Sequence, residues 1–562
     1  MTQNSLTGAE AMVRMLDAYE VRHIFGLCGD TTLPFYDALY RLDHGIEHIL
    51  TRDERSAAYM ADGYARVTGK PGVCEGPSGG GATYILPGLV EANESSVPIL
   101  AITSDVGTRS RGHYPLTELD QAGLMSPLTK SAEVIQHADQ VPDAVRAAFR
   151  AMTTGRPGAA HLGFPIDVQR GEADPDALWH DPAHARFPAY PSGPDPVAVA
   201  TLLDALLSAT SPLIICGGGI VLSGGEAAFQ SFVETLDIAV ATTISGQGSL
   251  AETHANCLGV VGSNGGVPET RGVVEAADLV LFIGCRAGSV TTELWRAPAK
   301  GTRILHIDSD PEVIGASYPT EVGLVSDARL ALEALNTALG QRDVSRFGGS
   351  TWIAPAKAAK WRVFAERAAD NARPIRPERT IESLRALLDD DVIVVGDPGT
   401  PCPYISAYYE LRRPGRWLFS NRAHGALGYA MSAGMGAAIG RPGHRVVALM
   451  GDGSFGFTCG ELETVVRKDL PITFIVFSNA VYGWIKAGQK TKFDARYFSV
   501  DFNRTDHAAV ASAFGVAAWR VDDPDHLTRT LKQAIDHPGP SLVDIVSQPL
   551  QEATAPVSEW IA

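Results

Sequence analysis

A chain of 562 residues, 45% of them hydrophobic, is long enough for about three or four domains with buried cores. Its 47 basic and 64 acidic residues leave a net charge of -17, which argues against nucleic acid or anionic membrane as the main partner.

In chain order, the stretch Met1-Thr2-Gln3-Asn4-Ser5-Leu6-Thr7 lacks the basic and apolar regions of a secretory leader. No apolar run approaches membrane-spanning length. Seven cysteines, odd in number and without a Cys-x-x-Cys pair, indicate neither a disulfide framework nor a zinc site, so a reducing cytoplasm is the expected location. A first strand is expected before Gly29-Asp30. The stretch from Thr51 to Arg66 reads as a helix on which Ala57, Ala58, Ala61 and Ala65 form a small-residue face suited to close packing, with Glu54 near its start. Read alone, Glu54 is a solvated charge. Ser78-Gly79-Gly80-Gly81 is a glycine-rich turn that lacks the Lys-Ser/Thr pair of a nucleotide loop. The run from Pro98 to Thr103 reads as a buried strand.

Prolines at 175, 182, 188, 191, 194 and 196 make the segment from Gly171 to Pro196 a surface linker. A second block follows, with Gly217-Gly218-Gly219 after a strand and a further strand from Leu279 to Gly284. A softer break runs through the polar stretch from Gln341 to Ser350, a helix, and Asn371-Ala372-Arg373-Pro374-Ile375-Arg376-Pro377. The third block opens with a strand from Val392 to Gly396. Short β-like runs alternate with helices in every block, which predicts an α/β chain of three doubly wound parallel-sheet domains over 1–172, 190–340 and 375–550.

The third block carries the most informative spacing. The apolar run from Arg445 to Met450 predicts a buried parallel strand, which puts Asp452 of Gly451-Asp452-Gly453-Ser454-Phe455 just past a carboxyl end, where open α/β sheets bind ligands. A second run, from Ile472 to Phe477, ends the same way at Asn479. Neighbouring strand ends then present a carboxylate and an amide oxygen to one hard cation, with positions left for phosphate oxygens and water. Gly451 and Gly453 let the backbone turn tightly beside the phosphates.

This segment and its spacing resemble the magnesium motif of the thiamine diphosphate (ThDP) enzymes. The order of the blocks resembles the pyrimidine-binding, central Rossmann-like and diphosphate-binding domains of the acetohydroxyacid synthase and pyruvate decarboxylase group. The resemblance implies that Asp452, the Asn479 side chain and the Val481 carbonyl ligate magnesium, although Ser478-Asn479 replaces the usual pair of asparagines. It makes Glu54 the acid that hydrogen-bonds the cofactor's aminopyrimidine and so activates its thiazolium carbon. Gly399, Thr400 and Pro401 would approach the diphosphate, as would Gly453, Ser454 and Tyr482. His424, Gly425 and Ala426 would line the cofactor, and Leu427 would wedge between its rings to hold it bent. Asp397, just before this group, fits a helix cap equally well. Because Glu54 and Asp452 would meet only between subunits, a homodimer or homotetramer is implied.

The reaction class is less sharply written. Decarboxylases of the group share the acidic residue of Gly29-Asp30, but carry two histidines where this chain has His113-Tyr114 and a proton-donating Glu where it has Ile485. Carboligases of the acetolactate synthase type carry Gly-Gly at Gly29-Asp30 and Phe-Gln-Glu at Leu116-Thr117-Glu118. The expected activity is decarboxylation of a 2-oxo acid and transfer of the enamine to an acceptor carbonyl, with Asp30, Ser78 and His113 facing the substrate. A non-oxidative decarboxylase or aldehyde lyase is the alternative, and a ThDP-binding protein without catalysis is the rival from another class. Lys486 and Gln489 fit a substrate carboxylate and a solvated helix equally. FAD is left open, since Gly284-Cys285-Arg286-Ala287-Gly288 lacks the acidic run of flavin-binding members.

Overall fold

The computed structural model describes residues 6–560. Residues 1–5 of the stretch read for a leader, and 561–562, lie outside the described residues. Three six-stranded sheets organise the chain, each wholly parallel. With strands numbered in chain order within each sheet, the first and third both run 2-1-3-4-6-5, whereas the central one runs 3-2-1-4-5-6. Two of the three thus share one topology and the middle one has another.

The apolar runs became strands fully buried along their length, as at Leu279–Ile283, Ile472–Ser478 and Ile99–Asp105. Continuous rather than alternating hydrophobicity is what helices on both faces of a parallel sheet demand. In the order 2-1-3-4-6-5 the chain leaves strand 1 in one direction along the sheet and returns on its other side as strand 3, so their carboxyl ends flank a crevice. In the third sheet these strands are Ile393–Gly396 and Val446–Gly451; in the first they are His23–Gly26 and Gly72–Gly76.

By packing, the chain forms two compact units. One comprises Met1–Tyr190, Asn421–Gly443 and Thr458–Leu470; the other comprises Pro191–Ser420, His444–Phe457 and Pro471–Ala562. In the first unit the helices Glu54–Thr68 and Tyr429–Gly440 lie backbone against backbone. A Cβ at Gly63 would collide with the Ala433 carbonyl oxygen, and one at Gly436 with that of Met60. The small-residue face read from the sequence lies elsewhere on the helix: Ala58 packs against Gly88 and Ala61 against Gly72, while Met60 and Gly63 make this contact.

The proline-rich segment carries two 3-10 turns, Pro175–Ala177 and Pro182–Ala185, and its first residues, Glu172–Ala173, pair antiparallel with Leu6–Thr7. Among the described residues no helix is long and apolar enough to cross a membrane, and all seven cysteines are free thiols.

Candidate active site

In the second unit, the crevice of the third sheet gathers the residues of the sequence motif. Asp452 opens the helix Asp452–Thr458 directly at the end of its strand and is 5% exposed. Its Oδ2 accepts the Asn479 and Ala480 N–H groups at 2.7 and 2.6 Å, and its Oδ1 accepts the Gly453 N–H at 2.9 Å. Burial raises its pKa, and these three backbone donors oppose the rise. The carboxylate is therefore locked to the end of the neighbouring strand before any cation arrives.

Asn479 donates from Nδ2 to Thr400 Oγ1 at 3.3 Å, while its Oδ1 is buried without a hydrogen-bond partner. An unsatisfied buried oxygen costs roughly 1–3 kcal/mol, and a cation in the crevice would remove that cost. At Val481 the chain makes an antiparallel bridge to Asp501, built from the Ala480 carbonyl and the Tyr482 N–H, which leaves the Val481 carbonyl out of both bonds. A carboxylate, an amide oxygen and a backbone carbonyl form an all-oxygen set that fits magnesium. No cluster of three or more His, Cys, Asp or Glu suited to a metal occurs among the described residues.

Space for a diphosphate is built beside this set. A Cβ placed on Gly451 or Gly399 would meet nothing within 4 Å, and Gly399 has φ +111°. Gly453, in contrast, lies against the Tyr482 ring. Asp397 does not cap the helix Pro401–Tyr408, whose capping position is Thr400. Fully buried, it accepts the Ser454 hydroxyl and ties the Gly399 turn to the Gly453 turn. Lys486 is paired with Asp501 at 2.6 Å, and Gln489 clamps the Phe498 backbone through both its amide atoms. Both side chains shape the segment that follows Val481.

Within the first unit, Glu54 begins its helix with Asp53 as the cap, and is 5% exposed. Gly76 lies beside it: a Cβ there would be 3.3 Å from Glu54 Cγ. Burial raises the Glu54 pKa, helped by the charges of Asp53 and Glu75. A raised pKa favours the protonated carboxyl group, the form that can donate to a ring nitrogen.

The residue before Asp53 is held from elsewhere in the chain, since Glu461 Oε1 accepts the Arg52 N–H at 2.8 Å and Oε2 the Thr464 hydroxyl at 2.8 Å. Burial pushes the Glu461 carboxyl up to about 7. Between the ordinary carboxylate value and that point, the unfolded chain ionises Glu461 while the folded chain keeps it protonated. Stability therefore falls as pH rises through this window, by on the order of 3 kcal/mol at most. Glu461→Gln is expected to flatten the loss of thermal stability between about pH 4.5 and pH 7. An unchanged pH profile of unfolding would contradict the assignment.

Three substrate-facing candidates come from the loops of the first sheet. Ser78 is 6% exposed and its Oγ lies 2.7 Å from Thr117 Oγ1 and 3.1 Å from Thr31 Oγ1, which in turn meets Ser104 Oγ at 2.6 Å. Asp30 is exposed, its Oδ1 accepting the Thr31 N–H at 2.9 Å, and His113 is exposed on the loop before Thr117. Ser78 thus belongs to a chain of hydroxyls that sequence reasoning missed, because Thr31, Thr117 and Ser104 are far apart along the polypeptide. In the segment before the helix Tyr429–Gly440, His424 and Gly425 are exposed and Ala426 and Leu427 half-buried. Asn421 Nδ2 donates to the Ala426 carbonyl at 2.7 Å, closing this segment into a loop.

The chain matches three family models in order: the N-terminal TPP binding domain of thiamine pyrophosphate enzymes over residues 6–124, their central domain over 199–335 and their C-terminal TPP binding domain over 397–545. It belongs to the thiamine pyrophosphate enzyme family, whose cofactor is thiamine diphosphate. Within that family it is similar along nearly its whole length to acetolactate synthase large subunits. It is 33% identical to the probable acetolactate synthase large subunit of Methanococcus aeolicus, over 97% of this chain and 92% of that protein. With the acetolactate synthase large subunit of Corynebacterium glutamicum the identity is 30%, over 96% and 87%. With the isozyme 3 large subunit of Escherichia coli it is 28%, over 94% and 92%.

Proposed function

We propose that the chain is a ThDP- and magnesium-dependent carboligase, which decarboxylates a 2-oxo acid and joins the remaining fragment to an acceptor carbonyl. The observation that carries this reading is the pairing of the locked Asp452 carboxylate with the unpartnered Asn479 Oδ1 in the crevice of the third sheet. Asp452, Asn479 and the Val481 carbonyl would hold magnesium; Gly399, Thr400, Pro401, Gly453, Ser454 and Tyr482 would border the diphosphate. Glu54 would supply the proton at the aminopyrimidine, and His424, Gly425, Ala426 and Leu427 would hold the ring end. When bound, ThDP supplies the nucleophilic carbon and the electron sink for loss of carbon dioxide. Asp30, Ser78 and His113 are the proposed substrate-facing groups.

Similarity to acetolactate synthase large subunits supports carbon-carbon bond formation over release of an aldehyde. So does Ile485, 55% exposed on the helix Gly483–Lys492, because it offers no proton at the position where decarboxylases of the group carry a Glu. Flavin is not required by this reading. Domain limits of 1–172, 190–340 and 375–550, a homo-oligomer and a cytoplasmic location complete the proposal.

The test is incubation of purified protein with ThDP, magnesium and a panel of 2-oxo acids, with and without aldehyde or ketone acceptors. A hydroxyketone or hydroxy-oxo acid product is expected. Free aldehyde as the sole product would replace this reading with a decarboxylase, and no turnover across the panel would remove it.

A further inference from the structure

We infer that Glu91 is a positioning residue: it fastens the loop from Asn421 to Gly428, and through it sets where Leu427 stands. The inference rests on the reading of Leu427 as the wedge between the cofactor rings. Glu91 lies on the helix Leu86–Glu94, in a stretch whose other buried residues are glycine, leucine and alanine, and it is itself 0% exposed. Most of the bonds to its carboxylate come from outside its own helix. Oε1 accepts the Arg422 and Ala423 N–H groups at 3.2 and 3.4 Å, and Oε2 accepts the His424 N–H at 2.8 Å. Three consecutive backbone donors from a segment more than three hundred positions away converge on one side chain.

Behind these bonds the carboxylate is itself held. The Ser95 hydroxyl donates to Oε1 at 2.6 Å, and Arg66 approaches it at 3.4 Å. Arg66 also pairs with the buried Asp62 at 2.7 Å, and Asp62 accepts the hydroxyl of Tyr429, the first residue of the helix after the loop. The loop is thus gripped at its entry by Glu91 and at its exit by Asp62, with Asn421 bonded across it to Ala426. Leu427 sits between the two grips. Charge-assisted hydrogen bonds are the strong and directional kind, and loss of a group buried in such a network is felt across it.

A residue that only held the fold together would, when altered, lower stability and cofactor affinity along with rate. A positioning residue separates these. The diphosphate end has its own residues in the second unit, so a displaced Leu427 would cost reactivity and spare affinity. Glu91→Gln keeps the volume and one acceptor, but turns an amide NH2 toward at least one of the loop N–H groups.

The experiment compares the holoenzyme with Glu91→Gln and Leu427→Ala. It measures hydrogen-deuterium exchange at the thiazolium carbon of bound ThDP, magnesium-dependent ThDP affinity, and kcat and KM for a 2-oxo acid. For Glu91→Gln, exchange and kcat are expected to fall together by about ten- to a hundredfold, with ThDP affinity and KM within about threefold of the parent. Exchange equal to the parent in the folded variant overturns the inference, as does a matching loss of affinity. If Leu427→Ala leaves exchange unchanged, the wedge reading itself falls. If Leu427→Ala slows exchange and Glu91→Gln does not, the wedge stands and Glu91 has no part in it. Should Glu91→Gln fail to fold, Ser95→Ala, which removes one bond to Oε1, is expected to give the same split at about two- to fivefold; no split there overturns the inference.

Discussion

Glu54→Gln is expected to slow hydrogen-deuterium exchange at the reactive carbon of bound ThDP by about a hundred- to ten-thousandfold, with turnover falling alongside. The residue is an acid buried at the start of a helix, its pKa raised by burial and by the charges of Asp53 and Glu75. Glutamine fills the same space and can still donate a hydrogen bond to a ring nitrogen. It cannot pass a proton. The substitution therefore isolates proton delivery from packing, and ThDP affinity, held at the diphosphate end, should change only a few-fold. Exchange at the parent rate in the variant would remove Glu54 from the mechanism.

Asp452→Ala is expected to weaken magnesium-dependent ThDP binding by at least about a hundredfold. Two losses combine in it, the charge offered to the cation and the acceptor for three backbone N–H groups. Each orphaned donor costs roughly 1–3 kcal/mol, so the ends of two strands would loosen together. Asp452→Asn separates the losses, because an amide oxygen still accepts from the backbone while the charge is gone. ThDP titrations with and without magnesium should find both variants impaired, the alanine more so. Full affinity in either would contradict the ligand assignment.

The placement of Asp452 and Asn479 at neighbouring strand ends was legible because their geometry is local in kind. Each follows an apolar run that can only be a buried strand, and parallel neighbours put both ends on one edge of a sheet. The alanines of the Glu54 helix were legible as a close-packing face, with Ala58 on Gly88 and Ala61 on Gly72, but the contact of Met60 and Gly63 with the helix Tyr429–Gly440 was not. What the sequence hid are side chains whose meaning lies in pairings across hundreds of residues: Glu461 beneath Arg52, Glu91 beneath the Arg422–His424 backbone, and Thr31 and Thr117 around Ser78. Glu91 left a trace, an acid on a helix face whose other buried residues are Gly88, Leu89 and Ala92. Asp397 was left open by the sequence: a carboxylate before Pro-Gly-Thr-Pro fits a capping role equally well, but the helix starts four residues later and Ser454 takes the bond.

In the proposed enzyme one ThDP would be shared between two subunits, one supplying Glu54 and the other the Asp452 clamp. Co-expression of Glu54→Gln and Asp452→Ala chains under different tags, with isolation of the mixed oligomer, tests this directly. A mixed dimer would hold one site with both lesions and one with neither, so activity should return to about half that of the parent. Mixed oligomers as inactive as either homo-oligomer would mean that the two residues do not serve one cofactor across an interface.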